Sequence, residues 1–155
     1  ISSSTPIGYF VGNTSTLICY QCTGYAAGYV PFRDSSTLTC YGCIGFGLYP
    51  FYGTFAAGDY NADNTSGTTY DAPRSNSKHN LTIANELTEV VNGDFSVKST
   101  STNVKDGSYN YGSPYNVDIA GNTVTGTWDI GAFEYFAAGG TTRSLIANLA
   151  ASSTT

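Results

Sequence analysis

The sequence predicts an all-β protein whose chain winds into stacked coils, and an internal repeat is the main evidence. Residues 17–22, Leu-Ile-Cys-Tyr-Gln-Cys, return as residues 38–43, Leu-Thr-Cys-Tyr-Gly-Cys, with each matched position 21 residues further on. A fixed period near 20 residues is typical of solenoids, in which equivalent side chains lie above one another. Only 11% of the residues are charged, and the abundance of Gly, Ser, Thr, Asn and Tyr favours short strands and turns over helices.

A second repeat extends the pattern on both sides of the first. Residues 28–32, Gly-Tyr-Val-Pro-Phe, return as residues 47–51, Gly-Leu-Tyr-Pro-Phe, 19 positions later, and residues 8–10, Gly-Tyr-Phe, precede them by 20. Three successive coils are therefore expected. Because Arg33 and Asp34 are the only charged residues before residue 56, we expect neighbouring coils or other chains to bury much of this segment.

The later chain is less regular. Turn-forming residues over 56–80 predict long surface loops. Residues 83–91 place apolar side chains at helical spacing behind Thr82, a candidate N-cap, and predict the one short helix. Residues 95–98 alternate as in a strand.

These patterns predict one domain over residues 1–135. Regular coils are expected in residues 1–60 and a loop-rich C-terminal cap in residues 61–135. Residues 136–155, rich in Ser, Thr and Ala, are expected to form a tail or an interaction arm.

A resemblance to a known family comes from the end of the domain. Residues 117–135, Val-Asp-Ile-Ala-Gly-Asn-Thr-Val-Thr-Gly-Thr-Trp-Asp-Ile-Gly-Ala-Phe-Glu-Tyr, resemble the closing motif of right-handed parallel β-helix proteins of the pectate-lyase-like and phage-tailspike-like type. Residues 92–95 and 106–107 are similar to the approach to that motif, and residues 59–61 to the exit from its last regular coil. Where such proteins usually carry acidic residues, this chain has Ala120 and Asn122.

The resemblance implies a short right-handed parallel β-helix with an irregular C-terminal cap, equivalent to the last coils of a longer solenoid. It implies architecture more than function, because such helices occur in lyases, hydrolases, phage tailspikes and adhesins.

Four cysteines occupy equivalent places in the first repeat. Cys19, Cys22, Cys40 and Cys43 fit a four-thiolate zinc spacing, but the repeat stacks Cys19 over Cys40 and Cys22 over Cys43 on neighbouring strands. Parallel Cβ vectors disfavour a disulfide. We expect stacked, reduced thiols that behave as small buried hydrophobes, with a disulfide or zinc as the alternatives. No metal and no cofactor is expected.

Acidic and basic side chains form no catalytic constellation that the sequence can define. Carboxylates that could hold calcium or act as a pair in glycoside hydrolysis are more simply turn residues that bond their own backbone. These are Asp59, Asp63, Asp71, Asp118, Asp129 and Glu134. Arg33 and Asp34 are too few for lyase chemistry, and His79 has no nucleophile placed by a motif. No catalytic residue is therefore expected.

Aromatic side chains crowd two of the coils and are the candidates for contact with a glycan or another subunit. Aromatic faces stack on sugar rings, and Tyr adds hydrogen bonds, but Tyr and Phe are also enriched at subunit interfaces and in cores. The interface interpretation is favoured because a three-coil solenoid is short of core. The candidates are Tyr25, Tyr29, Phe32, Tyr49, Phe51 and Tyr52.

The function predicted from these observations is structural rather than catalytic. We expect an oligomerising β-helix subunit of a virion spike, fibre, decoration or extracellular filament, located outside the cell or on a virion surface. Partners are further copies or other subunits, with a surface glycan as a second candidate. The net charge of −5 disfavours nucleic acid, and no apolar run predicts membrane insertion. The alternative is the C-terminal fragment of a polysaccharide lyase or glycoside hydrolase.

Overall fold

The computed structural model describes residues 9–11, 16–28, 30–65 and 76–136, and strands dominate them. In chain order the elements are β1 (Tyr9–Val11), β2 (Thr16–Tyr20), β3 (Thr23–Ala26), β4 (Phe32–Tyr41), β5 (Ile44–Gly47), β6 (Phe51–Asp59), β7 (Ala62–Asp63), α1 (Ile83–Glu86), β8 (Leu87–Glu89), a 3₁₀ turn (Val90–Asn92) and β9 (Asp94–Val97). The all-β prediction is confirmed for this part of the chain.

The first seven strands form two curled sheets of parallel strands. In one sheet, β6 pairs with β4 along the full length of one of its edges. On its other edge, β4 pairs with β1 near its start and with β2 near its end. The other sheet has the order β3-β5-β7. From β2 onward the chain alternates between the two sheets and returns each time beside its previous pass. This path is compatible with a solenoid, and one passage of the chain through both sheets is termed a coil.

The register of the sheets has the same offsets as the sequence repeat. Cys19 pairs with Cys40 and Tyr25 with Phe46, 21 residues apart, whereas Phe32 pairs with Phe51 at 19. Like side chains therefore lie beside like. The rings of Phe32 and Phe51 stack with their centroids 5.0 Å apart and their planes 9° from parallel.

Each passage from the first sheet to the second turns through one left-handed residue. Gln21, Gly42 and Tyr60 occupy this corner on successive levels, with φ angles of 49°, 64° and 55°. Backbone hydrogen bonds join the corners, since the Gln21 N–H donates to the Tyr41 carbonyl at 2.9 Å and the Gly42 N–H to the Asp59 carbonyl at 3.0 Å. Glycine adopts this conformation readily, but Gln and Tyr do so at a steric cost. The winding of the chain therefore sets the corner geometry, whichever residue stands there.

Two buried clusters form the core. The first lies within the coils and contains Cys19, Phe32, Leu38, Cys40, Cys43 and Phe51. The second joins β5 and β7 to the later chain and contains Ile44, Phe46, Ala62, Leu87, Val97, Val104 and Ile130. Because the second cluster draws on residues far apart in sequence, the later segment is an integral part of the domain.

Two local predictions differ from the structure. The helix expected over residues 83–91 ends at Glu86, because Leu87 is extended and pairs with Val97 in an antiparallel ladder. Pairing with β9 thus overrides helical propensity, and the Thr82 side chain makes no capping hydrogen bond. The strand expected at 95–98 is present as β9. The loop predicted over residues 56–80 is also strand at its start, because β6 continues to Asp59.

The closing segment, residues 114–135, folds back onto the coils. The Gly131 N–H donates to the Gly42 carbonyl at 2.7 Å, and the Ala132 N–H donates to the Thr23 hydroxyl at 2.9 Å. Trp128, which bridges to Ser108, is fully buried. The predicted tail after Phe136 lies outside the described residues. Within the described ranges, no helix is long and apolar enough to span a bilayer.

Replacing a stacked core ring tests the register. Phe51 is fully buried against Phe32, whereas Leu48, three residues earlier, is 54% exposed. We expect Phe51→Ala to lower the free energy of unfolding by about 3–5 kcal/mol through lost contacts and a cavity. Leu48→Ala, the control, should change it by less than about 0.5 kcal/mol. If urea denaturation gave the same loss of unfolding free energy for both variants, the assignment of Phe51 as inward-facing and Leu48 as outward-facing would be wrong.

Candidate functional site

The four cysteines lie together in the coils as reduced thiols. Cys19 and Cys40 are opposite each other in the β2–β4 ladder. The Cys43 thiol donates to the carbonyls of Cys19 at 3.6 Å and Tyr41 at 3.5 Å, and the Cys22 thiol donates to the Tyr20 carbonyl at 3.3 Å. Burial raises the pKa of Cys43, and contacts with the thiols of Cys22 and Cys40 raise that of Cys19.

The third level of the same stack carries an amide in place of a thiol. Asn61 is fully buried, and its Nδ2 donates to the Cys40 carbonyl at 2.8 Å while its Oδ1 accepts from the Cys43 N–H at 2.9 Å. Among the described residues, no three or more His, Cys, Asp or Glu side chains are arranged to hold a metal ion. Cys19, Cys40 and Cys43 are buried in the first core cluster, and Cys22 packs partly buried against it.

The aromatic candidates fall into two groups. Phe32 and Phe51 are fully buried in the first core cluster, and Tyr25 packs half-buried against the second. Tyr49 and Tyr52 are exposed by 38% and 37%, with ring centroids 6.4 Å apart. These two rings are thus accessible to a ligand or another chain, whereas the two Phe rings are interior. Tyr29 lies outside the described residues.

The side chains of Asp59 and Asp63, two of the candidate carboxylates, already contact polar groups of neighbouring residues. Asp59 accepts from the Tyr60 N–H at 2.9 Å, from the Asn76 N–H at 3.1 Å and from the Asn76 Nδ2 at 2.7 Å. Asp63 is fully buried and lies 2.9 Å from Nδ1 of His79. Both pairs join the coils to the segment that starts at residue 76. Their geometry is that of structural contacts, while Asp71 lies outside the described residues.

Asp129 and Glu134 form a second acidic group in the closing segment. Asp129 accepts from the backbone N–H groups of Asp106 at 2.7 Å and Tyr135 at 2.5 Å, and Glu134 accepts from the Asp129 N–H at 3.0 Å. Burial raises the pKa of Asp129 to about 6 and that of Glu134 to about 7. The pair closes a tight loop beside Trp128.

A cleft that the sequence did not indicate lies between the first corner of the coils and the closing segment. Its volume is about 440 Å³, within the range of small-molecule sites. Residues 20–23 and Phe95 line it, together with eight residues of the closing segment: Pro114, Tyr115, Val117, Asp118, Ile119, Trp128, Ala132 and Phe133. The cleft lining is mainly aromatic and aliphatic.

Two of the residues that line this cleft carry buried polar atoms without a hydrogen-bond partner among the described residues. These atoms are both amide atoms of Gln21 and Nε1 of Trp128, and the same holds for the hydroxyls of Ser108 and Tyr111, which do not line the cleft. Buried polar atoms are satisfied in the great majority of cases. The repeat has Gly42 where the first coil has Gln21, but this difference alone does not predict a cleft.

Comparison with protein-family models, with curated proteins and with solved structures finds no match for this chain. The class that the fold itself defines is an all-β protein with parallel strands in curled sheets.

The burial of the thiols predicts their reactivity. Cys19, Cys40 and Cys43 are buried, whereas Cys22 is partly exposed. We expect iodoacetamide to modify Cys22 at least about tenfold faster than the other three in the native protein, because burial hinders access of the reagent, even to Cys40, whose pKa the hydrogen bonds from Cys19 and Cys43 lower to about 6. Mass spectrometry of peptides after pulse labelling measures this difference. In urea without reductant all four should react, and protection of any pair there would reveal a disulfide.

The raised carboxyl pKa values predict a pH-dependent stability. Glu134 has an unperturbed pKa of 4.5 and a pKa of about 7 in the folded protein. The folded protein therefore binds more protons than the unfolded chain between those values, and the free energy of unfolding should fall as pH rises from about 4.5 to about 7. Glu134→Gln, which keeps an acceptor for the Asp129 N–H, should flatten this fall.

Urea denaturation at several pH values measures the effect. Glu89→Gln, at an exposed position, is the control and should keep the wild-type slope. A Glu134→Gln curve parallel to the wild-type curve would contradict the prediction.

Proposed function

We propose that this chain is a non-catalytic structural subunit that assembles with further copies or with other subunits. Its architecture in this proposal is a short right-handed parallel β-helix. Support comes from the alternation of the chain between two parallel sheets, because crossover connections between parallel strands are right-handed in about 98% of cases. An extracellular or virion-surface assembly, as a spike, fibre, decoration or filament, suits the low charge and the abundance of Tyr, Ser and Thr.

The single observation that carries the proposal is the edge of the first coil. Within the described residues β2 pairs only with β4, and β3 pairs only with β5. Such an edge offers unpaired N–H and C=O groups to another strand. Soluble proteins usually protect an edge with charged residues or Pro, yet residues 16–28 contain neither. Ile18 on this edge strand is 59% exposed.

Contact with a surface glycan is a second part of the proposal. Tyr49 and Tyr52 are each more than a third exposed, and aromatic rings of this kind can stack on a sugar; the guanidinium carbon of Arg33 lies 5.6 Å from the centroid of the Tyr52 ring. Support for a non-catalytic role comes from the carboxylates, because Asp59 and Asp129 already accept hydrogen bonds from their own chain. The enzyme alternative is tested by incubation with uronate and neutral polysaccharides.

A charge on the open edge should prevent assembly. We expect wild-type protein to have a mass that is a multiple of 16.3 kDa in light scattering. Ile18→Lys should reduce that mass to one chain, because a lysine on an edge strand opposes strand pairing. Leu48→Lys, at an exposed position away from β2, should leave the assembly intact. A monomeric wild type would overturn the proposal, and so would an Ile18→Lys variant that assembles normally.

A further inference from the structure

We propose that the corner of the first coil is a redox-active site, at which a small peroxide oxidises Cys22 and Cys19 then closes a disulfide with it. The oxidant is a peroxide in solution, and the two thiols are its reductants. The site does not require that the chain assembles or that it binds a glycan.

Access distinguishes Cys22 from the other three cysteines. Those three are at most 4% exposed, whereas Cys22 is partly exposed and lines the cleft beside the closing segment. Oxidation of thiols is favoured where the sulfur is accessible and a second thiol stands beside it. A small reagent in solution therefore meets Cys22 before it meets any other sulfur of the cluster.

The backbone of the corner brings Cys19 next to Cys22. Cys19 is the last residue but one of β2, Cys22 stands immediately before β3, and the left-handed Gln21 turns the chain between them. The two thiols contact each other. The Cys22 thiol also donates to the Tyr20 carbonyl at 3.3 Å, so its sulfur lies close to the residues that precede the corner, within reach of Cys19.

Disulfides between neighbouring levels are disfavoured by the strand geometry. Cys19 and Cys40 pair directly in the parallel β2–β4 ladder. Cys22 and Cys43 stand immediately before β3 and β5, which also pair in parallel. Parallel strands hold the Cβ vectors of such pairs side by side, which suits a disulfide poorly. The turn at the corner frees the pair within one level from this constraint.

A thiolate inside the cluster assists the proton transfers. Hydrogen bonds from Cys19 and Cys43 lower the pKa of Cys40 to about 6, so its sulfur is deprotonated at neutral pH. Cys19 contacts both this thiolate and Cys22. A proton can therefore pass from Cys22 to Cys40 by way of Cys19, which leaves the reactive thiolate on the accessible sulfur.

The oxidation proceeds in two balanced steps. In the first, the Cys22 thiolate attacks one oxygen of hydrogen peroxide, the O–O bond breaks, and the products are a Cys22 sulfenic acid and one water. In the second, the Cys19 sulfur attacks the Cys22 sulfur, an S–S bond forms, and the S–O bond breaks to release a second water. Cys40 accepts the Cys19 proton during the attack and returns it to the departing hydroxide.

Peptide mapping of the full-length protein after exposure to hydrogen peroxide tests this site. Arg33 and Arg74 are the only Lys or Arg residues before residue 78, so trypsin places Cys19 and Cys22 in one peptide and the other two cysteines in the next. After the remaining thiols are blocked, we expect a 1–33 peptide that has lost two hydrogens, about 2 Da. A disulfide between levels would instead link the two peptides.

The second Cys-x-x-Cys is a matched control, because Cys40 and Cys43 have the same spacing but are both fully buried. In native protein we expect the disulfide within residues 1–33 to form at least about tenfold faster than one within residues 34–74, because burial hinders access. In urea, where access is equal, the two rates should agree within about threefold.

Two variants identify the partner of Cys22. Cys19→Ala should yield no disulfide within residues 1–33 and should accumulate the Cys22 sulfenic acid, which dimedone traps. Cys43→Ala removes the other thiol that contacts Cys22 and should still form the disulfide. Melting temperatures show whether each variant folds, and the wild-type peptide map and rate ratio decide the question if one does not.

The proposal does not survive if native wild-type protein keeps all four thiols reduced, if the two peptides become linked, or if both Cys-x-x-Cys pairs oxidise equally fast. A folded Cys43→Ala variant that forms no disulfide within residues 1–33 would likewise contradict it.

Discussion

The parallel register of the coils is the constraint on which the rest of the structure depends. Once Cys19 pairs with Cys40 and Phe32 with Phe51, each inward position of one level lies beside its equivalent on the next. Stacked Phe rings, clustered thiols and repeated corners all follow from this arrangement. A shift by one residue would turn the inward side chains outward, because successive side chains of a strand point to opposite faces. The buried rings and thiols therefore hold the register in place.

The same constraint explains how chemically different residues occupy one structural role. Cys43 is followed on the next level by Asn61, whose amide bonds two backbone groups of the neighbouring coil. The corner carries Gln21, Gly42 and Tyr60 in the same left-handed conformation. Position within the coil thus decides backbone geometry, and the side chain decides the local chemistry. Only on the first level does this corner contribute an unpaired amide beside a cleft.

The first coil combines two features that are unusual in a protein that functions alone. Its strands form an uncharged edge within the described residues, and its corner forms one wall of the cleft. The closing segment is anchored at this corner by the hydrogen bonds from Gly131 and Ala132. Assembly is thus proposed for the same coil on which the closing segment is anchored.

The sequence by itself determined the all-β class, the period of the coils and the pairing offsets, because residues 17–22 and 38–43 encode equivalent positions locally. It could not decide that Leu87 leaves a helix to pair with Val97, or that Phe32 and Phe51 are interior rather than surface aromatics. The cleft was also beyond it, since Gln21 and Trp128 line the same cleft only when the closing segment folds back. Periodicity is a property of neighbouring residues, whereas these features depend on how separate segments pack, and the cleft joins segments about 100 residues apart.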